Sequence, residues 1–535
     1  MKAMNRFLYS SLVVVRVLAV ILLSTSMVFL FVDANQVQGQ TSQFSATEID
    51  RYIQQEMSRT QLPGIAVAIV RGQEIVYLKG FGYASLKTKS PVTPQTIFDL
   101  ASCSKSFTAF AVLTLWHDGL IELDKPLAFY IPEFRLADED GPPVITIRQL
   151  LNQTSGLPGD ISEPVSYHTG SNAMNALITA MERVHYDRAP GSSFEYANFN
   201  YNLLGALIER VSGQYFEDYV QEHVLAPLGM GNSTLRPEIA ARGDRADGHQ
   251  LLLGHVVVRN TPVYRSAIPA GWVMSSAEDM AKWLIINLND GVVDGRQVMP
   301  AELVTMMHTT AVTSYEDGKE AGYGMGWFTG LSGDGKMVYW HGGDTPNFLS
   351  EMILLPEEKL GIVMLANGQT CKGAHNIATE ITSLALGVQF ELPQSPWWAS
   401  WKSVDNISIY ATILSALLIL GLIPFTILQL RVVKRLRQQN IENIATGRKL
   451  KIWWVVVPAT PWVILAIIAT VAYAIMQSLF GFNIFTTIVR FGYFAPPGTL
   501  VAAITIVVAL FLWSLALSVT AILRALARVP AVSKT

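Results

Sequence analysis

Asp99-Leu100-Ala101-Ser102-Cys103-Ser104-Lys105-Ser106-Phe107-Thr108-Ala109 sets a serine hydroxyl one helical turn before a lysine. Residues three apart share a helix face, so the Lys105 amine reaches the Ser102 oxygen. An amine whose pKa is depressed in a desolvated pocket takes the hydroxyl proton and makes Ser102 an activated nucleophile. Phe107 to Trp116 continues the segment as an apolar stripe that a helix would bury. Ser-x-x-Lys by itself is a common tetrapeptide, so its meaning depends on what the rest of the chain supplies.

A chain of 535 residues is long enough for two or three domains, one with a large core. The mean hydropathy is positive, and the excess lies in the first forty residues and beyond Ile407. A net charge of -3 points to no polyanionic partner, so no nucleic acid is expected. With two cysteines, Cys103 and Cys371, there is neither a disulfide framework nor a thiolate metal site, although a single bridge between them stays open. Cys103 reads as a small packed side chain beside the nucleophile.

Residues 1–34 read as a secretory signal or an N-terminal anchor. Lys2, Arg6 and Arg16 precede an apolar run from Val17 to Val32, and Val32-Asp33-Ala34 offers small residues for cleavage. Either reading exports the segment that begins near residue 45. Ile65–Val70 and Ile75–Leu78 form a predicted hairpin around Arg71-Gly72-Gln73. From Leu120 to about Met306 the patterns are mainly helical, broken by Gly141-Pro142-Pro143 and Ser155-Gly156-Leu157-Pro158. Strand signals return at Met337–Trp340, Ser350–Leu355 and Leu360–Leu365. Strands that bracket a helical middle predict an α+β fold, with one antiparallel sheet flanked by helices, an all-α lobe and a cleft between them.

The composition changes again after Gln394. An interfacial linker, 391–406, carries Trp397, Trp398 and Trp401, and precedes a first membrane helix at 407–430. Two more apolar runs, 452–476 and 500–523, are also long enough to span. The connecting loop, 431–451, holds Arg431, Lys434, Arg435, Arg437, Arg448, Lys449 and Lys451 against the single acid Glu442, which predicts a cytoplasmic loop. Arg524, Arg528 and Lys534 place the C-terminus on the same side. The expectation is a multi-pass protein of the cell membrane, with 45–390 as an extracytoplasmic domain and the bilayer as a partner. The spans show no outstanding intramembrane acid or histidine, so anchoring is favoured over transport.

An exported serine nucleophile needs a base, a proton relay and donors for a developing oxyanion. Tyr196 and Asn198, two apart in a loop before a helix, offer a phenol and an amide. Tyr339-Trp340-His341-Gly342-Gly343-Asp344 offers a polar side chain followed by glycines at the end of a strand, where an edge strand would leave backbone N–H groups unpaired. In this order and spacing the three elements resemble the serine β-lactamase and penicillin-binding-protein superfamily, in its class C β-lactamase, D-alanyl-D-alanine carboxypeptidase and esterase branch. Thr96–Ser102, Gly119–Pro126 and Ile147–Pro158 resemble flanking segments of that family, and the likeness covers about 45–390.

The resemblance implies that Ser102 attacks a carbonyl, that Lys105 and Tyr196 share general-base and proton-shuttle work, and that Asn198 positions substrate. His341 stands where relatives commonly carry lysine, and the N–H groups of Ser102 and of Asp344, which follows Gly343, would form the oxyanion hole. No metal or cofactor is implied, and the partner is a small-molecule or peptide substrate. The chain departs from the family in carrying His341, in Asn347 where many relatives have glycine and in Gln153 where many have histidine. A neutral histidine lacks the charge that would dock a β-lactam or peptide carboxylate. The reading is a membrane-anchored serine hydrolase acting through a Ser102 acyl-enzyme on a peptide, ester or amide. The rivals are a catalytically idle wall-peptide sensor coupled to the membrane helices and a permease with an accessory hydrolase lobe.

Overall fold

The computed structural model describes residues 45–138, 141–159, 168–241, 243–316, 319–333, 335–368, 375–390, 401–443 and 497–526. The expected N-terminal signal, the apolar run 452–476, most of the linker and Cys371 lie outside the described residues.

Helix α1, Ala46–Thr60, is capped by Ser45, whose side chain accepts the Glu48 N–H, and ends where Gln61 turns left-handed two residues before Pro63. Ile49 and Ile53, one turn apart, are fully buried. The chain then forms β1 (Gly64–Arg71), β2 (Glu74–Ser85) and β3 (Ser90–Pro91). After the middle region come β4 (Val312–Glu316), β5 (Lys319–Tyr323), β6 (Phe328–Leu331), β7 (Met337–Asp344), β8 (Leu349–Leu355) and β9 (Leu360–Ala366). Among the described residues these nine strands make one antiparallel sheet in the order β4-β5-β6-β7-β8-β9-β1-β2-β3. The late strands thus close onto the N-terminal hairpin through β9 and β1, in the register Ile65↔Ala366 to Arg71↔Leu360. Strands β4, β5 and β6 carry no run long or apolar enough to announce themselves in the sequence, and they extend the sheet outward from β7.

Every residue of β8 and β9 is buried, as is every residue of β1 except Arg71, which requires a cover on both faces of the sheet. Ala66, Ala68, Val70, Met352, Leu354, Val363 and Leu365 share one core cluster with Trp283 and Leu284 of a helix at Ala277–Leu288. On the other face α1 packs with a helix at His375–Leu386. The helical region contributes α2 (Ser104–His117), α3 (Ala173–Ala180) and α4 (Asn198–Ser212). Its residues Leu203, Leu204 and Leu207 belong to the same cluster as the sheet residues. The buried residues of the helical part are thus contiguous with those of the sheet. Helix α2 lies at the seam, with Phe107 stacked on Trp283 at 4.3 Å, and burying it serves both parts at once. The middle is also less helical than its pattern suggested, since it holds a hairpin at His249–Leu252 and His255–Val258.

Among the described residues two helices are long and apolar enough to cross a membrane, with spans at Ile407–Arg435 and Val501–Leu523. They lie within helices Trp401–Asn443 and Pro497–Leu526, which pack on each other. Trp513 fixes that contact, its indole N–H donating to the Leu418 carbonyl at 2.7 Å while its ring lies against Phe425. The described structure thus contains two of the three expected spans.

Candidate active site

Ser102 is held in a 3-10 turn, Ala101–Cys103, that runs straight into α2. In such a turn side chains three apart nearly eclipse, and Lys105 Nζ lies 3.1 Å from Ser102 Oγ. The turn is entered through Ala101 at φ 46°, a left-handed conformation costly for a residue with a Cβ. Its neighbours hold it there. Leu100 N–H donates to Val273 O at 2.8 Å, and Ser350 Oγ on β8 donates to Leu100 O at 2.6 Å.

Lys105 is fully buried, and desolvation pulls its pKa down from 10.5 to about 7. Its amine also meets Asn198 Oδ1 and Ala270 O, each at 2.8 Å. A neutral amine has two N–H donors and one lone pair, and the two carbonyl oxygens can only accept. Both donors are then committed to Asn198 and Ala270, and the lone pair is left for the Ser102 hydroxyl proton. Ala270 comes from a short helix, Ile268–Gly271, docked on α2 through Thr108 Oγ1, which donates to Pro269 O at 2.7 Å. No motif in the sequence marks Ala270, because it serves through its backbone.

Asn198 is the first residue of α4, and Tyr196 precedes it in the loop. The Lys105 amine sits over the Tyr196 ring, 4.8 Å from its centroid. Gln153 supports this loop from beneath: its backbone carbonyl accepts Glu195 N–H at 2.9 Å, and its side-chain oxygen accepts Ala197 N–H at 3.0 Å and Asn200 Nδ2 at 2.5 Å. The residue that departs from the family pattern thus positions the segment between Tyr196 and Asn198.

Strand β7 passes Ser102 on the other side. It is not an edge strand, as the sequence suggested. It pairs with β8 along its length, from Tyr339↔Leu354 to Asp344↔Leu349, but its pairing with β6 stops at Phe328↔Trp340. His341–Asp344 therefore run past the end of β6, and an interior strand acquires an edge only where it borders Ser102. Gly343 is required there, because a Cβ would lie 2.3 Å from Leu100 O and 2.4 Å from Ser350 Oγ. Cys103, a free buried thiol, ties the same two elements, with Sγ 3.1 Å from His341 O and 3.2 Å from Ser350 Oγ. Burial raises its pKa to about 12, so it is a thiol in service of packing rather than a reactive thiolate.

His341 is 2% exposed, and desolvation, with Lys105 nearby, pushes its pKa down to about 3. It is a neutral imidazole. Nδ1 lies 2.7 Å from Gly342 O, which can only accept, so the proton is on Nδ1 and Nε2 is a bare acceptor with no hydrogen-bond partner among the described residues. The rings of Phe328, Tyr196 and Tyr323 surround it at 5.3 to 6.2 Å. Ser102, Lys105, Tyr196, Asn198, His341, Gly343 and Asp344 thus come from the 3-10 turn, α2, the loop before α4, the start of α4 and the end of β7. Among the described residues no cluster of histidine, cysteine and acidic side chains could hold a metal ion.

Fold and site together define the class of serine β-lactamases and penicillin-binding proteins. The Beta-lactamase family model matches residues 49–385, and the chain belongs to that family. It is 31% identical over 323 residues to Protein flp of Staphylococcus aureus (strain MW2), covering 60% of this chain and 63% of that protein. It is 29% identical over 314 residues to Penicillin-binding protein 4 of Amycolatopsis lactamdurans, covering 57% of this chain and 81% of that protein. Among solved structures, the octameric penicillin-binding protein homologue from Pyrococcus abyssi superposes with a TM-score of 0.56 at 28% identity, over 64% of this chain and 78% of that one.

Proposed function

We propose that the protein is a membrane-anchored extracytoplasmic serine hydrolase that forms an acyl-enzyme on Ser102 from an ester, amide or peptide. The observation that carries this is the Lys105 amine, fully buried, 3.1 Å from Ser102 Oγ and drawn down to a pKa of about 7. Lys105 takes the Ser102 proton as Oγ attacks the carbonyl carbon. The N–H groups of Ser102 and Asp344 receive the developing oxyanion, a role supported by the reach of β7 beyond β6. The proton then passes to the leaving group, with Tyr196 beside the amine as the second relay, and water releases the acyl group by the reverse sequence. Two apolar helices and the basic residues Arg431, Lys434 and Arg435 at the end of the first support an anchor with that end inside.

The neutral, aromatic-walled His341 supports uncharged acyl donors over β-lactams, whose carboxylate would find no cation at this position. Membranes carrying wild type or Ser102→Ala are labelled with a fluorescent fluorophosphonate and, separately, with a fluorescent penicillin. Ser102-dependent fluorophosphonate labelling is expected, with weak or no penicillin labelling. Absence of Ser102-dependent labelling by either probe refutes the hydrolase reading, and strong penicillin labelling refutes the preference for uncharged donors.

A further inference from the structure

The hairpin His249–Leu252/His255–Val258 has a composition that the active site does not explain. Its ten residues, His-Gln-Leu-Leu-Leu-Gly-His-Val-Val-Val, contain neither an acid nor a lysine or arginine. Six are aliphatic, on a short two-stranded ribbon with Val258 at 42% exposure and Leu252, Leu253, Val256 and Val257 half-buried. The turn is also unusual. Leu253 and Gly254 both have positive φ, 50° and 82°, the two-residue geometry in which asparagine and glycine are preferred. A leucine in that first position costs conformational energy and places an aliphatic side chain at the tip, the reverse of what a tip in water would favour.

The neighbours of the hairpin account for this. Its first strand packs against both apolar helices, Trp401–Asn443 and Pro497–Leu526. A Cβ built on Gly254 would lie 3.2 Å from Ile409 Cδ1. Ile409 is the third residue of the span that begins at Ile407, and with a helical rise of about 1.5 Å per residue the tip is level with the first turn of that span. That level is where a bilayer passes from headgroups to acyl chains.

We propose that this hairpin is a second, non-spanning membrane contact that seats its aliphatic tip in the headgroup–acyl boundary of the outer leaflet, beside the spanning helices. The inference rests on the anchored reading given above. The base of the hairpin is bound to the active-site rim. His249 N–H donates to Asn367 O at 3.0 Å, and Asn347 Nδ2, in the turn after β7, donates to Arg259 O at 2.8 Å. Asn347, a departure from the family pattern, thus has a role in holding the hairpin. Four strand residues at about 3.3 Å each leave roughly 13 Å between that rim and the lipid.

The test uses the full chain in lipid nanodiscs, with Cys371→Ser and a single environment-sensitive NBD label at His255→Cys, beside the tip, or at Val258→Cys, at the base opposite His249. A third label at Ile413→Cys reports on the span itself. All three sites are exposed, so labelling leaves the fold intact, and Cys103 is buried. Nitroxide-bearing lipids are expected to quench strongly at His255, as for a probe at the acyl boundary, to quench at Ile413 as well, and to affect Val258, about 10 Å back along the strand, much less. Quenching at Ile413 without quenching at His255, or quenching at Val258 equal to that at His255, overturns the hairpin proposal and leaves the anchor standing. Absence of quenching at all three positions overturns both.

Discussion

If Lys105 is the base, its protonation controls both reactivity and stability, and the two dependences are linked in sign. Burial lowers its pKa from 10.5 to about 7. At about 1.4 kcal/mol per pH unit that gap is about 5 kcal/mol in favour of the neutral amine. Below pH 7 the amine is protonated in both folded and unfolded chains, and the fold bears the whole cost of a buried ammonium. Between about 7 and 10.5 the unfolded chain holds the proton and the folded one does not, so stability rises with pH by up to about 1.4 kcal/mol per unit. Above 10.5 the penalty has vanished. Lys105→Met removes the titrating group, so its stability relative to wild type falls by the same slope over that window, as read by thermal unfolding in nanodiscs. The assay of function is the second-order rate of fluorophosphonate labelling from pH 5.5 to 9. The rate is expected to be level above pH 7 and to fall about tenfold per unit below it, since only the neutral amine accepts the proton. Lys105→Arg, which cannot deprotonate, is expected to label at least 100-fold more slowly. A rate independent of pH between 6 and 8.5, or wild-type labelling by Lys105→Arg, would refute the assignment.

Two further outcomes test the frame around the nucleophile. Gly343→Ala drives a methyl into Leu100 O and Ser350 Oγ, so β7 is pushed off the Ser102 turn. Labelling should slow by about 100-fold or more from a displaced oxyanion donor, and stability should drop by about 1–3 kcal/mol; unchanged labelling would show that this approach is not needed. Asp99 is 1% exposed and is held by Arg245, whose Nη2 donates to both carboxylate oxygens at 2.8 and 3.0 Å, just before the Ser102 turn. Asp99→Ala strands the guanidinium and is expected to cost about 3–5 kcal/mol in thermal unfolding, while a loss under 1 kcal/mol would mean that solvent takes over the pairing.

The chemistry-bearing parts are legible in the chain alone. Ser102 and Lys105 are close in sequence, so local helical geometry suffices to bring them together, and the continuous apolar runs of β1, β8 and β9 announce the centre of the sheet. The apolar segments at 407–430 and 500–523 are equally plain, because a bilayer-length helix needs no tertiary partner to be recognised. The effect of those parts on one another arises only in the folded molecule. The lowered pKa of Lys105 comes from the packing of α2 at a seam between sheet and helices, and its acceptor at Ala270 is a backbone atom from 165 residues away. The exposed end of β7 exists because β6 is short, and β4 to β6 have too weak a pattern to be read locally. Gln153, Cys103 and Ser350 hold the site through contacts that no spacing encodes. Residue types are written along the chain, but desolvation and close approach belong to surfaces that meet only when distant segments fold together.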